Sequence, residues 1–439
     1  MNKSHTNWKK LKIEDCAEVI GGGTPSTKKK EYWDGDISWI TPKDLSNYNN
    51  RYISKGSRNI SEKGLKYSSA RLLPKNSVLL TTRAPIGYLA ISKKELATNQ
   101  GFKSLIMKNG NVPEFFYYLL KNNISKLLQY ASGTTFMELN ATNLKSIEFY
   151  IPEVKEQKRI ASILSALDDK IELNNKTNKI LEEMAQTIFK EWFINFNFPN
   201  EDGKPYKKSG GEMIDSELGK IPKGWKIGTI GDLISNLFNG DWGKDKNKEK
   251  YTKEVICIRG ADIGDIFKGF DGNPVRRFIL EKNLKSKKLL EGDIVMECSG
   301  GSPTQSTGRC IFVTKSLLSA YDKPLICTNF CKVIKIKEKE YRGYAYNLLW
   351  YLYNTRLFFL FENGTTGIKN LDVNNLFKRH MIAIPDIDVA LEYNEIFLSL
   401  IDIMHANKKE NEKLSNIRDS LLPKLMTPNG RRADGEIRV

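Results

Sequence analysis

The sequence predicts an α+β (mixed α/β) protein. Two globular units are joined to two long helices that pair as an antiparallel coiled coil, the whole arranged as a pseudo-twofold internal repeat. Three observations carry this reading. One set of landmarks occurs twice in the same order. Short β-like runs alternate with Gly, Pro and Asn turns in both stretches. Two long amphipathic segments share the same polar interruption of an apolar seam.

The landmarks pair Trp8 with Trp225, Asn76-Ser77-Val78-Leu79 with Asp293-Ile294-Val295-Met296, and Thr98-Asn99 with Thr328-Asn329. Further on, Gly133-Thr134-Thr135 answers Gly364-Thr365-Thr366, and Ile151-Pro152 answers Ile384-Pro385. The loops between them differ in length and in side chains, so one scaffold carries two variable surfaces. A protein of this design reads two different things at a fixed separation.

In chain order, residues 1–152 form the first globular unit. Ser77 to Thr81 and Ile147 to Ile151 read as strands, and Pro113 to Tyr130 as an apolar helix. A long helix occupies 153–196, with a seam of Ile160, Leu164, Leu167, Ile171, Leu181, Ala185, Ile188 and Trp192 at alternating steps of four and three. Continuing the register puts Asn174 and Asn178 on the seam. A turn-rich linker at 197–217 precedes the second unit at 218–388. The second helix, 389–426, carries Tyr393, Phe397, Leu400, Met404, Leu414, Arg418, Leu421 and Leu425, with Asn407 and Asn411 between. A buried Asn is costly unless another polar group meets it, so paired asparagine layers select one register and one orientation. The competing explanation is two unrelated helices whose asparagines face water. At ~1.5 Å per residue the pair would be a rod of roughly 55 to 65 Å, a ruler between the units. The tail, 427–439, breaks the pattern, and Glu436 to Val439 would add a strand.

Charge narrows the partners. Lys and Arg number 69 against 52 Asp and Glu, a formal charge of +17 over 439 residues, which favours a polyanion. The 40% hydrophobic content is enough for a core in each unit. No apolar run reaches the length of a membrane span and the start lacks the apolar segment of a secretory signal, so a cytoplasmic protein with no membrane partner is expected. The 6 cysteines lack zinc-ribbon spacing; Cys327 and Cys331 read as parts of one strand with Phe330 between, and neither a metal nor a disulfide is expected.

Catalytic signatures are missing from the sequence. It has no GxxxxGK[ST] loop, no Asn/Asp-Pro-Pro-aromatic tetrapeptide and no GxGxxG. The 3 histidines, His5, His380 and His405, are scattered, and the last two read as structural. No catalytic residue is assigned.

Binding signals are richer. Gly21-Gly22-Gly23 leads into Thr24, Ser26 and the cations Lys28, Lys29 and Lys30, a loop whose amides, hydroxyls and charges suit phosphate oxygens, although a plain surface turn has the same composition. Thr41 and Lys43 stand where the second unit has Arg259, with Asp44 and Asp262 as turn or cap residues. After the repeated strand the first unit has Thr82 and Arg83, and the second has Ser299, Ser302, Thr304, Gln305, Thr307 and Arg309. Arg chelates guanine and Gln adenine in a major groove, whereas Ser and Thr serve phosphate or either base. Asn99, Gln100, Thr134, Lys244 and Thr365 complete the candidates for DNA contact.

Taken in order, several segments carry a family resemblance: the Gly22-Gly23-Thr24-Pro25-Ser26 loop, Glu156-Gln157-Lys158-Arg159-Ile160-Ala161, the Phe198 to Tyr206 linker, and Leu421-Leu422-Pro423-Lys424-Leu425-Met426 with the Glu436 to Val439 end. The chain resembles the specificity subunit of type I restriction-modification systems over essentially its full length. The resemblance implies two target-recognition domains, each reading one half of an asymmetric bipartite site in double-stranded DNA, with the helices setting the gap. It implies two methyltransferase (M) subunits docked on the helices, which bind S-adenosylmethionine and methylate adenine, and restriction (R) subunits joining that core. This chain itself would bind no cofactor. The second unit departs from the pattern, with Asn239-Gly240-Asp241-Trp242-Gly243-Lys244 in place of the Gly-Thr-Pro-Ser loop. An outer apolar stripe of Ile163, Ile180, Phe189 and Phe193 on one helix and Ile396, Ile401 and Ile403 on the other is expected to meet partner helices. Two rivals stand beside this reading: a coiled-coil scaffold that binds no DNA, and a DNA-modifying enzyme with an unfamiliar site.

Overall fold

The computed structural model describes residues 8–46, 48–133, 137–267, 272–300, 305–364 and 369–428. Thr134, Ser302, Thr304, Thr365, His5 and the expected strand at 436–439 lie outside the described residues. The chain divides into two units, Met1–Leu173 with Glu410–Val439, and Asn174–Lys409.

Strand alternation explains how each unit builds its core. In the strand Val78–Thr82, Val78 and Leu80 enter one buried cluster while Leu79 enters another on the opposite face. In Ile294–Glu297, Ile294 and Met296 likewise separate from Val295. Both strands are therefore covered on two sides, and their apolar runs are continuous rather than alternating.

The same strand order is built twice, with Tyr52–Ile53 as an extra edge strand in the first unit. The first unit has a sheet ordered Ala17–Gly21, Lys103–Met107, Val78–Thr82, Ile86–Ser92 and Tyr52–Ile53, and a second ordered Arg58–Ile60, Trp33–Ile40, Ala97–Thr98. The second unit has Ile234–Asn239, Cys331–Ile336, Ile294–Glu297 and Cys310–Phe312, with Val275–Leu280, Tyr251–Ile258 and Leu325–Cys327 beside it. An antiparallel pair closes each unit, Lys9 facing Ile151 in one and Lys226 facing Ile384 in the other. The expected helix from Pro113 to Tyr130 is two helices, Pro113–Asn122 and Ile124–Gln129, broken at Asn123, whose side chain donates to Leu119 O at 2.7 Å. Pro113 suits the first helical turn because no amide proton is needed there.

Hydrogen bonds fix the repeat more finely than apolar identity does. Val78 faces Leu105 and Ile294 faces Ile334 at matching positions of the ladder, so Val78 corresponds to Ile294, one residue away from the sequence pairing. Asn99 N donates to Ile40 O and Thr328 N to Ile258 O, both at 2.9 Å, so Asn99 corresponds to Thr328 rather than Asn329. Cys327 ends one strand and Cys331 begins the next, with Phe330 on the turn between them rather than inside a strand.

The first long helix runs Val154–Phe189 and passes into a π-helical turn, Lys190–Ile194; the second runs Ile387–Leu425. In the first unit Ile160 and Leu164 pack with Leu422 and Leu425, and Asp168 Oδ1 accepts from Arg418 Nη1 at 2.7 Å. Asp168 is 6% exposed whereas Leu167 and Ile171, placed on the seam by spacing, are only half-buried. In the second unit Leu181 and Ala185 meet Leu400, and Asn407 Nδ2 donates to Asn178 Oδ1 at 2.8 Å. Asn178 in turn donates to Met404 O at 3.1 Å, and Tyr393 OH to Ala185 O at 3.2 Å, so the helices run antiparallel there. Asn174 is also buried. Phe189 and Phe193 do not form an outer stripe: both are buried in the aromatic core of the second unit, against Tyr344 and Tyr393, while Ile180 and Ile403 remain exposed.

Among the described residues no helix is long and apolar enough to cross a membrane. Removing Asp168 leaves the Arg418 guanidinium with only the exposed Asp419, 2.8 Å from its Nε, and deprives the buried Tyr118 hydroxyl of its acceptor. Asp168→Ala is therefore expected to destabilise the first unit by about 3 kcal/mol or more. Urea unfolding followed by circular dichroism reads this as a lowered midpoint, and an unchanged midpoint would contradict it.

Candidate nucleic-acid interface

Two indoles hold the glycine loop of the first unit. Trp39 Nε1 donates to Gly23 O at 2.9 Å and Trp33 Nε1 to Ser26 O at 3.1 Å. Gly22 sits where no side chain fits, since a Cβ would lie 1.9 Å from Asn99 O. Beyond this anchor the loop turns outward, leaving Thr24, Ser26, Lys28, Lys29 and Lys30 exposed. Thr24 hydrogen-bonds the Gln100 side chain, and Asn99 Oδ1 accepts from Gly101 N at 2.9 Å, so these three candidates come together. Lys29 Nζ donates to Tyr32 OH at 3.1 Å, and Tyr32 stacks on the exposed Tyr67.

The second unit builds the same crossing with other residues. Gly22 N donates to Phe102 O and Gly240 N to Cys331 O, so these glycines correspond, and a Cβ on Gly240 would lie 1.9 Å from Cys327 O. The two amides that follow, Gly23 N and Asp241 N, donate to Thr98 O and Cys327 O. The departure from the Gly-Thr-Pro-Ser pattern thus leaves the backbone crossing intact and changes only what projects from it.

Thr41 and Arg259 also occupy one position. Each amide donates to a carboxylate three residues on, Thr41 to Asp44 Oδ2 and Arg259 to Asp262 Oδ2, both at 2.8 Å. Burial opposes charge on both carboxylates, yet donors outweigh it and hold each below the ordinary range: Thr41 and Ser57 on Asp44, Arg259 and Asn273 on Asp262. Lys43 is exposed, while the Arg259 guanidinium is tied to Asp262 by bonds of 3.0 Å from Nε and Nη2.

At the third loop Arg83 lies beside Glu138, its Nη1 3.9 Å from Oε2. Thr82 N donates to Gly101 O and Cys298 N to Phe330 O, both at 2.8 Å, so the next residues, Arg83 and Ser299, correspond. Ser299 Oγ donates to Asn370 Oδ1 at 2.5 Å, which puts Asn370 where the first unit has Glu138. Thr82 and Thr307 are fully buried, which removes both from the candidate surface. Arg309 corresponds to Tyr88, not to Arg83, and its Nε and Nη2 both bind the buried Glu297 at 2.9 Å. A guanidinium so occupied is a brace for the loop rather than a free reader. Gln305 is exposed, its Nε2 3.3 Å from Tyr353 OH. Lys244, Arg259 and Ser299 are brought together in a cleft of about 900 Å3 in the second unit, which Trp242, Tyr251, Glu297, Asn329 and Phe330 also line.

The family pattern described as the type I restriction modification DNA specificity domain matches residues 5–183. The chain is 36% identical to the type I restriction enzyme MjaIX specificity subunit of Methanocaldococcus jannaschii over 448 aligned residues, covering 100% of this chain and 95% of that one. The chain belongs to the family of type I restriction specificity subunits. Identity to the HindI specificity subunit of Haemophilus influenzae is 23% over 73% of this chain and 79% of the relative. The crystal structure of a type I restriction-modification S subunit from M. genitalium shares the fold, with a TM-score of 0.58 at 16% identity over 97% of this chain and 98% of that one.

Sequence reading of this specificity subunit missed Trp242, Phe330, Glu138 and Asn370. Glu138 and Asn370 are invisible to a search for cations, because they are the partners of Arg83 and Ser299 and lie far from them in sequence. Phe330 was legible only once the turn between two strands was recognised, since an aromatic residue inside a strand is ordinary.

Two predictions follow from this geometry. Gly22→Ala and Gly240→Ala each force a methyl group into a carbonyl oxygen, and each is expected to cost about 1 to 3 kcal/mol, read as a lower denaturation midpoint. Asp44→Asn is expected to cost about 1 kcal/mol at neutral pH. Because the folded carboxyl titrates below its unfolded value of about 4, its contribution is complete above that value and is lost as pH falls through the folded one. Wild type and variant should therefore differ in urea unfolding at pH 7 and converge in acid; equal stability at pH 7 would contradict the assignment.

Proposed function

We propose that this specificity subunit reads an asymmetric bipartite site in double-stranded DNA, one half with each unit, in the major groove. The observation that carries the reading is the pairing of a shared backbone with unlike side chains at corresponding positions. Thr41 answers Arg259, Arg83 answers Ser299 and Glu138 answers Asn370. Direct readout needs such differences at base edges, while cations such as Lys28, Lys30, Lys43 and Lys244 supply phosphate contacts that position the protein without reading sequence.

The paired helices then set the gap between half-sites and dock two methyltransferase subunits, which bind S-adenosylmethionine; restriction subunits complete the assembly. The exposed Ile180 and Ile403 are apolar groups available for that docking. Within the proposal, Thr24, Ser26, Lys29, Asn99, Gln100, Gln305, Arg259 and Ser299 remain contact candidates by position.

The test is co-expression with the methyltransferase subunit and mapping of adenine methylation by single-molecule sequencing. A split motif of two unlike halves with a fixed gap is expected. Arg83→Ala should relax one half only, by about 1 to 3 kcal/mol of discrimination if it contacts a base. No motif from a folded complex would favour the scaffold alternative, and a uniform loss on all DNA would make Arg83 a phosphate contact.

A further inference from the structure

Phe330 and Gly101 hold one backbone position. Phe330 N donates to Thr328 Oγ1 at 3.1 Å and its carbonyl accepts from Cys298 N at 2.8 Å; Gly101 N donates to Asn99 Oδ1 at 2.9 Å and its carbonyl accepts from Thr82 N at 2.8 Å. One unit carries no side chain there and the other a phenyl ring that is 55% exposed, although Cys327 and Cys331 on either side of the turn are buried. The flanks fix the turn, and the ring is held out from it.

The surroundings say what such a ring meets. Phe330 lines the cleft with Trp242, Lys244, Lys287 and Ser299. Trp242 is a fixed wall, with the Arg277 guanidinium 4.0 Å from its ring centroid and Arg277 Nε donating to its carbonyl at 2.8 Å. Lys244 is exposed at the rim, 5.6 Å from the Tyr251 ring. A rim cation suits a phosphate. Phenylalanine has no donor or acceptor, so it cannot read the hydrogen-bonding edge of a base pair. The apolar feature that a major groove offers is the C5-methyl group of thymine.

We propose that Phe330 is a specificity determinant of the second unit, packing on the C5-methyl group of a thymine while Lys244 holds a neighbouring phosphate. This rests on the reading of the second unit as a half-site reader. The test uses the full chain assembled with its methyltransferase subunit, after the wild-type motif has been mapped and the half relaxed by Arg83→Ala assigned to the first unit. Duplexes carrying deoxyuridine in place of each thymine of the other half are then compared in binding.

At one position wild type should lose about fourfold in affinity, the value of one buried methyl group. Phe330→Ala should lose the same factor on the thymine duplex and become indifferent to the replacement, as two partners of one contact do in a double-mutant cycle. Lys244→Ala should weaken both duplexes equally and lower the salt dependence by about one ion. Phe330→Ala with undiminished thymine preference, or a half-site without a methyl-sensitive thymine, overturns the proposal alone. A wild-type complex with no split motif overturns the half-site reading and this proposal with it.

Discussion

Buried polar contacts on the long helices set where everything else in each unit can sit. In the first unit Asp168 accepts from Arg418 and from Tyr118, whose hydroxyl lies 2.6 Å from Oδ2, while Arg51 of the globular part donates to Tyr118 OH at 2.9 Å and pairs with Asp169. Helix, partner helix and globular part are thereby joined through one set of groups. In the second unit the Asn178–Asn407 contact performs the helix-to-helix part. An apolar seam tolerates a slip of one turn at modest cost, since one methyl group replaces another. A buried charge or amide does not, because the slipped partner would be left unsatisfied. Amides add a second tie: Gln157 Oε1 accepts from Val112 N at 3.0 Å and Asn394 Oδ1 from Gly343 N at 2.9 Å, each linking a long helix to the start of a short one.

How much of this was legible depends on what kind of interaction placed each residue. The repeat, the two units and the long helices follow from periodicity and turn chemistry. The closing strands were found in register because Trp8, Trp225 and the Ile-Pro pairs mark strand ends. Inside the sheets the sequence pairing ran one residue off at Val78 and at Asn99, because apolar identity says which face a residue serves and not which amide it answers. The same limit applies on the helix: spacing selects Leu167, yet the buried residue is Asp168, and only its partner Arg418, far away in the chain, explains why a charge is stable there.

Cations were harder still. A charge of +17 favours a polyanion but does not say which lysines and arginines meet it. Arg309 and Lys335 each have a carboxylate within 3.0 Å, at Glu297 and Asp293. These pairs stabilise loops and strands from within, and an arginine that braces a loop looks in sequence like an arginine that reads a base. Lys28, Lys30 and Lys43, by contrast, are exposed.

The two glycine crossings show why such a scaffold can carry different specificities. At Gly22 and Gly240 a carbonyl oxygen occupies the space of a side chain, so the backbone there admits little variation. One residue later the Gly23 amide and carbonyl are both engaged, with Thr98 O and Trp39 Nε1, while the Asp241 carboxylate turns back to accept from Gly243 N at 3.0 Å and Asn283 Nδ2 at 2.6 Å. The turn that carries Gly101 and Phe330 is different: the amide and carbonyl are both engaged and the Phe330 side chain is exposed. At Phe330 the backbone groups hold the fold while the side chain is left unconstrained by it. Substitution there alters what is presented to a partner while leaving those backbone hydrogen bonds in place, which decouples that part of the surface from the stability of the unit that displays it.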